Sequence, residues 1–449
     1  MQAIINGRLV LSDKVLDGCT LLFDKKIIGI VSRETIDREW RNGRCWQGKP
    51  LLLIDAGGAY VSPGFINLHI HGCAGADTMD AEEDTLAAMS GFLASTGVTA
   101  FLPTTMTYDF PAIHKALQQI RKCMTVMTRR REEKFAPAAA KNDKKELNES
   151  IKVSVLSEAK ETILQQEEGF SRQKASPVPL PGAKVLGAYL EGPFISCEYK
   201  GAQKEEDIVA ADFPLIRDFS DVIKVVVFAP ETLRQEPEQL KDFIGQCKAH
   251  HIVVSLGHSA AGYEEAVQAI KGGASHITHL CNAMTRLHHR SPGLFGAALD
   301  TDAICELIAD NLHVHPAVQR IIYREKGAAG LELITDSMRA CGLPEGVSEL
   351  GGQTVYVKNG EARLADGTIA GSVVTMDRAM ANFRRNTGAS VPEVVRMVTE
   401  NQAQELGLFE KIGSLCPGAA ADITIFNEDF TILRTFVDGC EVYKNPDFQ

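Results

Sequence analysis

Between residues 59 and 404 the sequence alternates short apolar, strand-like segments with helical ones, and no other feature constrains the fold as tightly. The strand-like segments fall at 65–70, 98–102, 184–190, 223–229, 252–256, 276–278, 303–308 and 331–335. A run such as Val225-Val226-Val227-Phe228 is apolar on both faces, as a parallel strand covered on both sides must be. Parallel neighbours need a long crossover between them, normally a helix, and the intervening segments supply it. About eight such units predict an α/β fold, a (β/α)8 TIM barrel.

The flanking stretches have another texture. Segments 3–10, 19–23 and 27–31 near one end, and 422–426, 432–436 and 441–443 near the other, read as short strands separated by turns. Residues 1–58 and 405–449 are expected to pair into a small, discontinuous β-sandwich domain, which leaves 59–404 as the barrel. A stretch at about 123–181 does not fit this scheme. It carries Arg129-Arg130-Arg131-Glu132-Glu133-Lys134 and then Lys141-Asn142-Asp143-Lys144-Lys145, the composition of a solvated insertion between the second and third units.

The chain has 449 residues, of which 45% are hydrophobic, enough for a large core. Its 47 basic and 58 acidic residues leave a net charge of −11, which argues against nucleic acid or an anionic membrane surface as the main partner. A negatively charged substrate then requires local positive groups. No apolar run approaches the roughly 20 residues of a membrane span, and Met1-Gln2-Ala3-Ile4-Ile5-Asn6-Gly7 lacks the layout of a signal peptide. The expected compartment is cytoplasmic. The 11 cysteines show no Cys-x-x-Cys pairing and read as reduced thiols, with Cys73, Cys281 and Cys341 taken as packing residues.

In a barrel of parallel strands the C-terminal strand ends converge on one face, where active sites form. Those ends carry His69 and His71, then Glu191, His258, His279 and Asp336. The two-residue spacing of His69 and His71 puts both rings on one face of a strand. Each residue alone has an ordinary explanation: a hydrogen-bonded imidazole, an ion pair for Glu191, a helix N-cap for Asp336. Five strand ends bearing ligand-type residues at one rim point instead to a cation. The mixed nitrogen and oxygen set suits Zn²⁺, Fe²⁺, Co²⁺ or Mn²⁺. His276 has the opposite parity from Thr278 and is read as structural.

The ordered motifs carry a resemblance. Pro63-Gly64-Phe65-Ile66-Asn67-Leu68-His69-Ile70-His71-Gly72, Leu190-Glu191-Gly192-Pro193-Phe194-Ile195, Gly257-His258-Ser259, Thr278-His279-Leu280-Cys281-Asn282-Ala283-Met284, Ile308-Ala309-Asp310-Asn311-Leu312-His313 and Thr335-Asp336-Ser337 are the main ones. Together with Gly367-Thr368-Ile369-Ala370-Gly371-Ser372, they resemble the N-acetylglucosamine-6-phosphate deacetylase family of the amidohydrolase superfamily. The resemblance implies hydrolysis of N-acetylglucosamine 6-phosphate in amino-sugar catabolism. It implies Glu191, His258 and His279 as ligands of a principal metal, His69 and His71 as holders of a second, and Asp336 as the catalytic carboxylate. One or two divalent ions per subunit follow.

Substrate contacts are implied at Asn282, Ala283 and His313, with Arg290 lent to the sugar phosphate across a homodimer interface. Gly201-Ala202-Gln203 departs from the many relatives that have histidine after Gly-Ala. Gln203 donates an amide hydrogen bond to a carbonyl or hydroxyl but carries no charge. The alternatives are another amidohydrolase, acting on a related N-acyl or cyclic amide, or a non-catalytic relative that binds sugar phosphate.

Overall fold

The computed structural model describes residues 1–41, 45–135 and 182–448. Each of the eight apolar segments contains a strand: β1 (Phe65–Ile70), β2 (Val98–Pro103), β3 (Ala188–Leu190), β4 (Ile223–Phe228), β5 (Val253–Leu256), β6 (His276–Ile277), β7 (Ile304–Ile308) and β8 (Leu331–Ile334). β1 and β2 pair in parallel, with the short strand Lys184–Val185 on the far side of β2. β3 to β8 pair in parallel in chain order. Further parallel bridges join Thr104 to Tyr189 and Ile70 to Ser337, so the sheet curls until its first and last strands are neighbours.

Side chains sort with the period of two that a pleated strand imposes. Ile66, Leu68, Ala100, Leu102, Tyr189, Val225 and Val227 form one buried cluster with Ala403 and Ile412. Phe101, Leu190, Val226 and Phe228 join a larger one with Leu86, Met89, Phe243 and Ile244. These last four lie on the helices Glu83–Ser95 and Pro237–Ala249, which cover the sheet. A register shift in β1 between Asn67 and Ile70 breaks the alternation where His69 stands.

Segment 184–190 is not one strand. It divides at Gly187, where an added Cβ would lie 2.5 Å from the Val222 carbonyl oxygen, so only a bare backbone fits. Segment 3–10 also divides, because Asn6 takes a left-handed conformation with φ 56°. Gln2–Ile5 then joins Cys19–Phe23, Ile27–Ser32 and Leu52–Asp55 in a four-stranded sheet. Arg8–Val10 joins a six-stranded one with Val15–Leu16, Tyr60–Pro63, Ile423–Phe426, Ile432–Val437 and Cys440–Lys444. The two chain ends therefore meet in one sheet, which also takes Tyr60–Pro63, beyond residue 58. The sheets share a core that includes Ile4, Leu9, Phe23, Val61, Ile425 and Phe436.

A three-stranded antiparallel sheet, Gly346–Leu350, Gln353–Lys358 and Glu361–Arg363, follows β8 and was not expected. It packs through Leu350 and Val355 on Met106 and Met338, beside the rim. The expected insertion at 123–181 starts inside the helix Phe110–Phe135, and its residues 136–181 lie outside the described residues. Cys73 and Cys341 are free thiols buried as packing residues, and Cys281 is a half-buried free thiol.

Phe23 and Phe436 meet edge to face across the two terminal sheets, with ring centroids 5.6 Å apart. Phe436→Ala should cost about 3–5 kcal/mol, the usual range for truncating a buried phenylalanine. Guanidinium unfolding curves measure it, and turnover per folded molecule should be unchanged because the rim is on other elements.

Candidate metal centre

Three of the rim residues stand two positions beyond the ends of β5, β6 and β8, and all three have left-handed backbones: φ is 46° at His258, 29° at His279 and 47° at Asp336. Such conformations cost non-glycine residues about 1–3 kcal/mol each and persist only where the surroundings fix them. Here hydrogen bonds do so. The Asp336 amide donates to the His69 carbonyl at 2.9 Å, and the Asp336 carbonyl accepts from Ser372 at 2.8 Å. The His279 amide donates to Glu306 Oε2 at 3.0 Å, and the His258 carbonyl accepts from Ser196 at 2.8 Å. The turns aim each side chain inward over the strand ends.

The six polar side chains predicted to meet do meet. His279 Nε2 lies 3.0 Å and His258 Nε2 3.3 Å from Glu191 Oε1, and the two nitrogens are 3.1 Å apart. On the other side, His71 Nε2 is 3.2 Å from both Glu191 Oε2 and Asp336 Oδ1. His69 Nε2 is 3.4 Å from Glu191 Oε1 and from Asp336 Oδ1. Glu191 thus offers an oxygen to each side. None of the six residues is more than 8% exposed. His258 donates from Nδ1 to the Tyr199 carbonyl at 2.9 Å, and His69 from Nδ1 to Glu306 Oε2 at 3.0 Å, which leaves both Nε2 atoms facing the centre.

Burial alone would raise both carboxyls, but the imidazoles outweigh it. His69 and His258 hold Glu191 well below the usual range, and His69 and His71 hold Asp336 below it. Burial would lower His71, yet Asp336 and Glu191 raise it to about 9. Charged groups drawn this closely together call for a cation at the centre. Two triads, His69 with His71 and Asp336, and Glu191 with His258 and His279, have ligand atoms within 4.8 Å of one another. A tetrahedral ion with bonds of about 2.0–2.2 Å has ligand edges of about 3.3–3.5 Å, close to the separations here. His69 Nε2 is buried without a hydrogen-bond partner, as an atom reserved for a metal would be. The donor set fits a divalent cation.

A cavity of about 280 Å³ opens over the centre, lined by His71, Glu191, Gln203, His258, His279, Asn282, Ala283, His313 and Asp336. His313 donates from Nδ1 to Asp310 Oδ2 at 2.6 Å, which fixes its ring. Asn282 turns its amide onto the His279 and Leu280 carbonyls at 3.1 and 3.3 Å. Gln203 is tied more tightly than its sequence implied: Nε2 donates to Glu191 Oε2 at 2.8 Å and Oε1 accepts from the Thr107 amide at 2.6 Å. Arg290 does not line the cavity. It is exposed in a loop, with Nη1 donating to His289 Nε2 at 2.6 Å. His276 stays out of the ligand set, buried between Glu306 and Glu405. Met106, Leu350, Thr368 and Ile369 also line the wall. Sequence reasoning assigned them no role, although the Gly367 to Ser372 motif marked that region.

A curled parallel sheet with imidazoles and carboxylates at its C-terminal rim is the architecture of the metal-dependent amidohydrolases. The profile of the Amidohydrolase family matches residues 60–442, and the chain belongs to that family. Within it, the chain is 37% identical to the N-acetylglucosamine-6-phosphate deacetylase of Bacillus subtilis over 84% of its own length and 83% of that protein's. It is 32% identical to the N-acetylgalactosamine-6-phosphate deacetylase of Escherichia coli O157:H7, covering 87% and 89% of the two chains. A crystal structure of N-acetylglucosamine-6-phosphate deacetylase from Pasteurella multocida superposes with a TM-score of 0.79 at 28% identity, over 99% of this chain and 100% of that one. Among the described residues no helix is long and apolar enough to cross a membrane.

Gln203→Leu keeps the side chain's bulk but leaves the Thr107 amide without its acceptor and takes one donor from Glu191 Oε2, which keeps its contact with His71. Each unpartnered buried group costs about 1–3 kcal/mol, so chemical denaturation of the metal-free protein should show a loss on that scale.

Proposed function

We propose that this protein is a metal-dependent deacetylase that hydrolyses N-acetyl-D-glucosamine 6-phosphate to D-glucosamine 6-phosphate and acetate in amino-sugar catabolism. The observation that carries the reading is the meeting of Glu191, His258, His279 and Asp336, with His69 and His71, under a cavity walled by Asn282, Ala283 and His313. The relatives whose names state that activity support it. We read the bridged parallel sheet as a closed (β/α)8 barrel, 59–404, and the two terminal sheets as a β-sandwich.

Glu191, His258 and His279 would hold a principal ion, and His69 and His71 would hold a second; Zn, Fe, Co or Mn would suit the ligand set. A divalent ion bound there supplies Lewis acidity, which readies water as a nucleophile at neutral pH and polarises the acetyl carbonyl. Asp336 takes a proton from the attacking water as its oxygen bonds to the acetyl carbon. It returns the proton to nitrogen as the C–N bond breaks, so acetate and the amine leave. Gln203 orients Glu191 and keeps one amide hydrogen for the substrate. His313 and the Asn282-Ala283 turn hold the sugar phosphate, joined by Arg290 from a second copy of the chain in a cytoplasmic homodimer. Arg290 stands outside its own cavity, near the exposed Leu287, where a lent residue would stand.

Acetate release from N-acetylglucosamine 6-phosphate, from its galactosamine epimer and from the unphosphorylated sugar tests the reading. Turnover of the first should exceed that of the others, and no release from either phosphorylated sugar would refute it. Asp336→Asn should keep the fold and lose about 10²–10⁴-fold in kcat, the scale of general acid–base catalysis. His258→Ala and His279→Ala should each lose metal and activity together, read as metal content per chain after dialysis.

A further inference from the structure

The strands bury more charge than the centre uses. Glu306 on β7 and Glu332 on β8 are fully buried, as is His276 on β6, and Glu405 lies against them with a side chain only 4% exposed. These groups adjoin the site through one residue. Glu306 Oε2 accepts from His69 Nδ1 at 3.0 Å and from the His279 amide at 3.0 Å. Its other oxygen, Oε1, lies 3.1 Å from His276 Nε2, and His276 Nδ1 lies 2.7 Å from Glu405 Oε2. Contacts therefore run from His69 through Glu306 and His276 to Glu405, which lines a second cavity with Ser275 and Ala303, at the opposite ends of the strands.

His276, Glu332 and Glu405 also form a cluster with potential ligand atoms within 4.8 Å of one another. The 2.7 Å approach of His276 to Glu405 is that of a direct ion pair. It is tighter than the edge of about 3.3 Å that a tetrahedral ion imposes, and the contact is electrostatic, since neither His276 ring nitrogen makes a well-directed hydrogen bond. Burial would lower His276, yet the carboxylates beside both ring nitrogens raise it well above its ordinary value, and its charged form is the natural counterpart of Glu306 in the interior. Burial and the neighbouring Glu405 push the Glu332 carboxyl well up, which disfavours a third buried negative charge.

We propose that Glu306, backed by His276, is a positioning residue for the metal centre: it holds the His69 ring with Nε2 toward the cation and pins the His279 backbone in its left-handed turn. One carboxylate on β7 thereby sets the angle of two ligands that arrive from β1 and β6. The inference rests on the reading of His69 and His279 as ligands. It concerns a residue that touches neither substrate nor metal. Glu306→Gln keeps the side chain's shape but places an amide NH₂ against N–H donors, so one of the three contacts must break.

Zn²⁺ affinity, measured on the full chain by competition with a chelator, provides the main test. Glu306→Gln should weaken it about 10–100-fold, the usual cost of losing the partner that orients a ligating histidine. Long-range ¹H–¹⁵N spectra of the Zn²⁺-loaded protein should show His69 protonated on Nδ1 in the parent and a changed Nδ1–H signal in the variant. His258→Ala serves as the control. If it loses Zn²⁺ while Glu306→Gln binds within twofold of the parent, Glu306 is only structural, the positioning role is overturned and the site reading stands. If neither variant loses affinity, the site reading falls and takes this inference with it. Should Glu306→Gln fail to fold, His276→Gln is judged by the same measurement: a loss of affinity of the same sign is expected, and parental affinity overturns the proposal.

Discussion

Two carboxylates, Glu191 and Asp336, sit out of water within 3.4 Å of imidazole nitrogens from β1 and from the ends of β5 and β6, and the rest of the molecule is arranged around that fact. In a low-dielectric interior, charges this close are tolerated only with correct geometry and full compensation. The curled sheet provides the geometry. Parallel strands in fixed register deliver their last residues to one rim, and left-handed turns at His258, His279 and Asp336 bend the side chains inward. The proposed divalent cation would complete the compensation and make metal binding a part of the fold's electrostatic balance as well as of its chemistry.

The strand ends were legible because each marks an abrupt change of solvent environment. In Leu190-Glu191-Gly192 and Leu333-Ile334-Thr335-Asp336 an apolar run stops at a carboxylate, and only a partner at the rim explains the expense. The pairing of the chain ends was legible from strand texture, since short runs alternate with turns at both. The left-handed backbones were not legible, because histidine and aspartate give no local sign of positive φ; glycine would have. The break at Asn6 did have a local sign, the turn dipeptide Asn6-Gly7, which went unread inside an otherwise strand-like run. Arg290 was legible only through the resemblance, since nothing local sets it apart from an ordinary loop charge.

Glu306 and Glu332 show a signal that was present and went unread. Ile304-Cys305-Glu306-Leu307-Ile308 and Leu331-Glu332-Leu333-Ile334 each place a carboxylate inside an apolar strand, and a buried carboxylate needs a proton, a cation or donors as surely there as at a strand end. His276, at the start of β6, is the matching base. Parity placed it outside the ligand set, and the structure agrees, but parity alone did not say what it faces. Its partners come from β7 and from the helix Glu400–Glu405, so the network exists only once the strands are adjacent.

The substrate's charge poses the remaining physical problem. On the proposed function, a protein of net charge −11 with two carboxylates in its cavity must hold a sugar phosphate that is itself an anion. Neither lysine nor arginine is among the residues lining that cavity. On the proposed function the cation would stand beside the acetyl group and the two carboxylates, which balance it. The phosphate would then lie at the other end of the sugar, near the Asn282-Ala283 turn, whose backbone and amide groups supply hydrogen bonds but no net charge. A guanidinium from outside the cavity answers the deficit, since its planar fork matches phosphate oxygens and it carries its charge at any physiological pH. Arg290 is exposed and outside its own cavity, and on the proposed function a second copy of the chain would bring it to one. A homodimer would then be the arrangement that gives the phosphate the lysine or arginine charge that the cavity's own lining lacks.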